Sequence, residues 1–173
     1  MQQRLKINIF CFLVLLLVVA VIFSITPYKE VIAFTFEDKQ QLLTYLPLDD
    51  EETFQITYTH SIHRSDVYET FEVNGNKLKL IEISYEDFAV GMPANAEGEE
   101  TFEVINGRYY IRNMNQVFPF IDLRIGQVRA NHSINYQGNK FQLSNVIEPG
   151  TWVRFSVKKL SFWQLMKGVN LIG

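Results

Sequence analysis

The sequence predicts an all-β domain, a single sandwich or barrel-like unit of short antiparallel hairpins, preceded by one N-terminal transmembrane helix. Three observations predict it. Between Tyr28 and Lys159 there is no long helical periodicity, only short runs in which apolar and polar residues alternate. Turn-forming residues punctuate those runs at Asn74 to Asn76, Asn106-Gly107, Gln137 to Asn139 and Pro149-Gly150. Ahead of them lies INIFCFLVLLLVVAVIFSI, Ile7 to Ile25, without a single charge.

The apolar run comes first in the chain. As a helix rising ~1.5 Å per residue it reaches ~28 Å, close to the ~30 Å hydrocarbon thickness of a bilayer. Arg4 and Lys6 precede it, so the excess of positive charge on the cytoplasmic side places the N-terminus inside and the remainder outside the cell membrane. The run exceeds the ~7–15 apolar residues of a secretory signal, which favours an uncleaved single-pass anchor. The expected organisation is an anchor over 1–26, an extracytoplasmic β domain over 27–160 and an amphipathic tail over 161–173.

VIAFTFED reads as the first strand and KQQLLTYLPLDDEE as a connector ending in a solvated acidic loop, Asp49 to Glu52. TFQITYTHS alternates, with Phe54, Ile56, Tyr58 and His60 on one face. VYETFEV runs back after IHRSD, with Val67, Glu69, Phe71 and Val73 on one face, and KLKLIEISY follows the Asn-Gly-Asn turn. EDFAVGMPANAEGEE is a loop. Phe102 to Ile105 and RYYIR form a hairpin, and FPFIDLRIG is a strand whose Pro119 suits an edge. HSINYQGNKFQL is a third hairpin, and VIEPGTWVRFSVKK ends in a strand. In the tail, Phe162, Trp163, Leu165, Met166 and Val169 fall at helical spacing, although Gly168 weakens a helix there.

Composition excludes several classes. The apolar fraction is 47%, the charged fraction 20% and the formal net charge −3, so no basic excess points to nucleic acid. Setting aside Arg4 and Lys6 leaves 14 of the 16 basic residues against 19 acidic ones, which argues against a polybasic hold on anionic lipid. The single cysteine, Cys11, lies in the apolar run and rules out a disulfide framework within the chain. No cofactor signature is present.

The densest polar chemistry is ITYTHSIHRSDVYETFEV, Ile56 to Val73. Ser61 beside His60 resembles a nucleophile and its base, but neighbouring side chains on a strand point to opposite faces, and no G-x-S-x-G elbow accompanies them. His60, His63, Asp66 and Glu69 are competent metal ligands without the spacing of a known metal motif, so no metal site is assigned. If the two strands pair about a turn centred near Arg64, His60 stands opposite Glu69 on the inner face. Such a pair either fixes hairpin register as a buried hydrogen bond or faces a ligand, with Ser61 or Arg64 at the rim.

These residues also carry a resemblance. FQITYTHSIHRSDVYETFEV, LKLIEISYEDFAVGMP and VIEPGTWVRFSV together resemble the small bacterial domain-of-unknown-function family DUF1850, over roughly Pro47 to Lys158. The identifying features are Tyr58-Thr59-His60-Ser61, the following Glu69, and a G-x-G-x-P stretch of which only Gly91 and Pro93 are kept here, Ala89 standing at the first glycine. Asp66 also stands where family members often carry proline before the valine. The resemblance implies one N-terminal hydrophobic segment, an all-β domain, and genes beside TAXI-type TRAP transporters. A TRAP permease or its exported solute-binding protein is therefore the implied partner, in uptake of small organic acids.

Two functional readings follow. One is a membrane-anchored accessory or binding module that uses an exposed apolar patch, with Trp152, Trp163 or the tail as candidates. The other is an enzyme of the outer membrane face, with His60 as acid/base oriented by Glu69 and with Arg64 or Tyr85 holding substrate. A small-ligand sensor using the same residues without chemistry is a milder form.

Overall fold

The computed structural model describes residues 2–37, 39–49, 53–88, 92–127 and 130–173. The apolar run forms α1 (Gln2–Ile25), and none of its membrane-length stretch, Lys6–Ile25, is buried against the rest of the chain. Its hydrophobicity has no preferred side, unlike that of a helix lying on a core. Three residues later the chain enters the first sheet, and the rings of Phe23 and Tyr28 stack at 6.0 Å across the junction.

Two sheets form the domain. One contains β1 (Lys29–Phe36), β2 (Leu42–Pro47), β8 (Ile121–Arg124), β11 (Trp152–Leu160) and β12 (Val169–Asn170), in the order β12-β2-β1-β11-β8. The other contains β3 (Thr53–Thr59), β4 (Asp66–Asn74), β5 (Lys77–Tyr85), β6 (Thr101–Ile105), β7 (Arg108–Phe118), β9 (Ser133–Tyr136) and β10 (Asn139–Gln142), in the order β10-β9-β3-β4-β5-β7-β6. Among the described residues all strand pairings are antiparallel except that of β12 with β2. The architecture is an all-β sandwich. Its inner faces meet through an aromatic bridge: Phe34 stacks on Phe155, Phe54 on Phe71, and Phe71 meets Phe155 edge to face at 6.1 Å.

Most expected strands form where the alternation places them. Three segments differ. LLTYLP is not a connector but β2, which pairs with the central β1 on one side and is covered by β12 on the other. β7 extends well past RYYIR to Phe118, passing an irregularity at Asn113, whose φ is +59°. The tail is helical only over α2 (Phe162–Leu165) before it returns as β12. Ser161 closes α2 with a capping box: its hydroxyl accepts from the Gln164 N–H, and the Gln164 amide oxygen accepts from the Ser161 N–H. Gly168 ends the helical stretch where a Cβ would press on the side chains of Leu42 and Tyr45, so its missing side chain lets the chain lie close beside β2.

One irregularity in the larger sheet positions the site. Ile81 has no partner in the ladder with β4 or in that with β7. Before it Leu78 and Leu80 face the core; after it Ile83 and Tyr85 do. This β-bulge switches the inward parity of β5 by one residue.

Candidate functional site

The β3–β4 hairpin pairs Ile56 with Glu69, Tyr58 with Val67 and Thr59 with Asp66. The turn is therefore centred between Ile62 and His63, not near Arg64, and His60 does not face Glu69. The difference lies in the connection, which spans His60 to Ser65 and is not a tight turn. It is closed by the His60 N–H donating to the Ser65 carbonyl and the Arg64 N–H donating to that of His60. Arg64 takes a left-handed φ of +61° to make it. Ser61, His63 and Arg64 are exposed, and His60 is only half-covered, its ring 5.8 Å from that of His63.

The partner that the fold gives Glu69 is Tyr58. The Tyr58 hydroxyl donates to Glu69 Oε1 at 3.1 Å, diagonally across the hairpin. Glu69 occupies the middle of an inward-facing row that crosses the sheet: Ile134, Ile56, Glu69, Ile83, Ile111. Its carboxyl is held above the ordinary carboxylate range because burial penalises the charge, and the Tyr58 hydrogen bond opposes that rise. Burial likewise pushes the Tyr58 phenol far up, and the neighbouring carboxylate adds to the effect. Among the described residues no lysine, arginine or histidine forms an ion pair with Glu69.

The bulge at Ile81 makes this tolerable. Without it, the register of Phe71 with Leu80 would carry Glu82 inward, opposite Glu69. With it, Ile83 takes that place and Glu82 turns outward to Arg112, at 2.7 Å. A like-charge pair on the inner face is thereby avoided.

His132, seventy or so residues from the hairpin in sequence, lies beside Tyr58 with ring centroids 5.7 Å apart. It is buried, and burial lowers its pKa. Its Nδ1 accepts from the Gly126 N–H at 3.2 Å, which fixes the neutral ring with its proton on Nε2. The only signal for it in the sequence is the alternation His132, Ile134, Tyr136, which continues the inward face of β9. Tyr85 is fully buried, and its hydroxyl donates to the Pro93 carbonyl, tying Pro93 to the sheet, while Met92 packs on the core. Pro93 thus stands beside Tyr85; Gly91 lies outside the described residues. Among the described residues no three metal-competent side chains gather.

The result is a small antiparallel sandwich behind a bare apolar helix, with a partly buried carboxyl and phenol and a buried neutral imidazole on its inner face. Such a cluster can hold a proton or exchange hydrogen bonds with a ligand. The chain belongs to the family described as domain of unknown function DUF1850, whose profile matches residues 54–143. That match starts at the hairpin and ends just after β10, so it covers the larger sheet and the whole cluster. No curated protein and no solved structure matches the chain.

Proposed function

We propose that the protein is a membrane-anchored extracytoplasmic accessory module, which binds a transport system rather than transforming a substrate. The observation that carries this reading is α1: a membrane-length helix with no side chain buried in its own domain, joined to a closed sandwich by a spacer of three residues. A domain so tethered works within a short distance of the bilayer, where a permease lies. The family resemblance supports a TRAP-type (TAXI) permease or its solute-binding protein as the partner. The exposed His60–Ser65 connection, with Ile62 at its tip, is the part of the motif open to such a partner. Crosslinking the wild-type chain in native membranes is expected to recover the permease or the binding protein, and Ile62→Asp to lose it while the domain stays folded. Recovery of neither from wild-type membranes overturns the proposal.

The buried cluster favours a second reading, a small-ligand sensor. Its polar groups are Tyr58, Glu69 and His132 in place of the His60/Glu69 pair. Organic acids and amines titrated against a chain labelled at Glu69 should then move its side-chain carboxyl resonance, and Tyr58→Phe should abolish the movement. An unmoved resonance across the series removes this reading.

A further inference from the structure

The second apolar cluster lies on the outer face of the smaller sheet: Val31, Ala33, Tyr45 and Leu160, with Leu42 and Leu165 packed on them. α2 covers it through Leu165, and the capping box at Ser161 fixes how α2 sits. With Leu165 turned in, Phe162, Trp163 and Met166 are left exposed, Trp163 and Met166 by 60% and 70%. These side chains are not stranded on a remote surface, because α2 is in direct contact with α1.

Beside α2 runs a groove of about 640 Å³. Its lining includes Gln40, Gln41, Lys158, Lys159, Gln164 and Lys167, and no carboxylate among the described residues. Lys159 stands 3.9 Å from Glu30, whereas Lys158 and Lys167 form no ion pair among the described residues. Lys158 is half-buried, and burial together with the charge of Arg154 lowers its pKa, so an anion there would relieve a real cost. Lys158 is paired with Val31, six residues beyond the end of α1. Since α2 adjoins α1, the groove beside it lies on the side of the domain that faces the bilayer if α1 spans it. The acidic balance of the whole domain does not decide the local field, since no carboxylate among the described residues lines the groove.

We propose that this end of the domain is a membrane-facing foot: Phe162, Trp163 and Met166 enter the interface, and Lys158 and Lys167 hold the phosphate of an anionic phospholipid in the groove. Aromatic side chains with a cationic neighbour are the residues that settle at this depth, and Lys167 lies 5.9 Å from the Trp163 ring. The inference rests on the membrane-anchored reading of α1. It adds that the domain is laid against the surface rather than swinging from the anchor.

The test uses the full chain in vesicles of phosphatidylcholine, with and without phosphatidylglycerol. Trp152→Phe leaves Trp163 as the reporter. Quenching of Trp163 by brominated lipid, and protection from iodide, are expected in both and stronger with phosphatidylglycerol. The Lys158→Gln/Lys167→Gln variant should lose the gain from phosphatidylglycerol, by roughly fivefold in the docked-to-undocked ratio per lysine. Amine labelling of the unsubstituted chain, read by mass spectrometry, gives the same comparison without any variant: Lys158 and Lys167 should be protected by phosphatidylglycerol vesicles. Protection of both lysines by free glycerol phosphate to the same degree would assign the groove to a soluble anion and overturn the lipid claim. Alkaline carbonate extraction separates the two failures. A chain retained in the pellet with Trp163 open to iodide overturns the foot alone; a chain released to the supernatant overturns the anchor as well.

Discussion

Two glutamates on neighbouring rows of the larger sheet have opposite fates. The inner row reads Ile134, Ile56, Glu69, Ile83, Ile111; the outer row reads Asn135, Gln55, Thr70, Glu82, Arg112. On the outer row every member finds a polar partner: Asn135 donates to Gln55 at 2.8 Å, Gln55 to Thr70 at 3.3 Å, and Arg112 to Glu82 at 2.7 Å. The inner one has a phenol, no cation and four isoleucines. A row that otherwise excludes water has kept one ionisable group, and only hydrogen bonding restrains its cost. That contrast makes Glu69, rather than His60, the residue that most needs a functional explanation.

The comparison can be broken hardest on the inner row. Ile56→Asp would place a second carboxylate directly across from Glu69, and should cost more than about 4 kcal/mol, abolishing the cooperative urea transition. Tyr58→Phe removes the one side-chain hydrogen bond that Glu69 makes among the described residues, and should cost about 1–3 kcal/mol by the same measurement. It should also raise the Glu69 carboxyl further.

Glu69 itself predicts a pH dependence. Its folded pKa lies above its unfolded value, so the folded state binds the proton more readily. Stability should therefore fall as pH rises from the ordinary carboxyl value, near ~4.3, through the raised folded one. Glu69→Gln should flatten that slope relative to wild type in melting curves taken across the window. An unchanged slope would mean the carboxyl is not buried as described.

The outer row should respond weakly. Glu82→Gln breaks an ion pair in reach of water, and is expected to cost no more than about 1 kcal/mol and to lose most of that in high salt. The smallest effect should come from His60→Ala, within about 0.5 kcal/mol, because the half-exposed ring stands in the connection and not opposite Glu69. A large loss there would restore a structural role for the histidine that the register denies it.

Much of this site was legible in the residues. Alternation put Tyr58 and Glu69 on the inner face, and both are there. The same alternation sent His60 to that face too, but β3 ends at Thr59 and the rule ends with it. Nothing in the sequence joins His132 to the hairpin, because a single histidine far along the chain carries no spacing to read. In the tail, helical spacing was present over more residues than became helical: pairing of Val169 and Asn170 with Thr44 and Tyr45 outweighed a propensity already weakened by Gly168.

The sequence by itself determined the apolar helix, the all-β class, most strands and turns, and which side chains of the hairpin turn inward. Each is a local property: hydrophobic length, a period of two, or a residue tolerant of positive φ. Tertiary structure alone decided the register of β3 on β4, the bulge at Ile81 that exchanges Glu82 for Ile83 beside Glu69, and the arrival of His132 at Tyr58. A period of two states which face a residue takes but leaves the offset between strands free. That offset is settled only when the whole inner face packs, and it is the offset that chooses the partners of a buried charge.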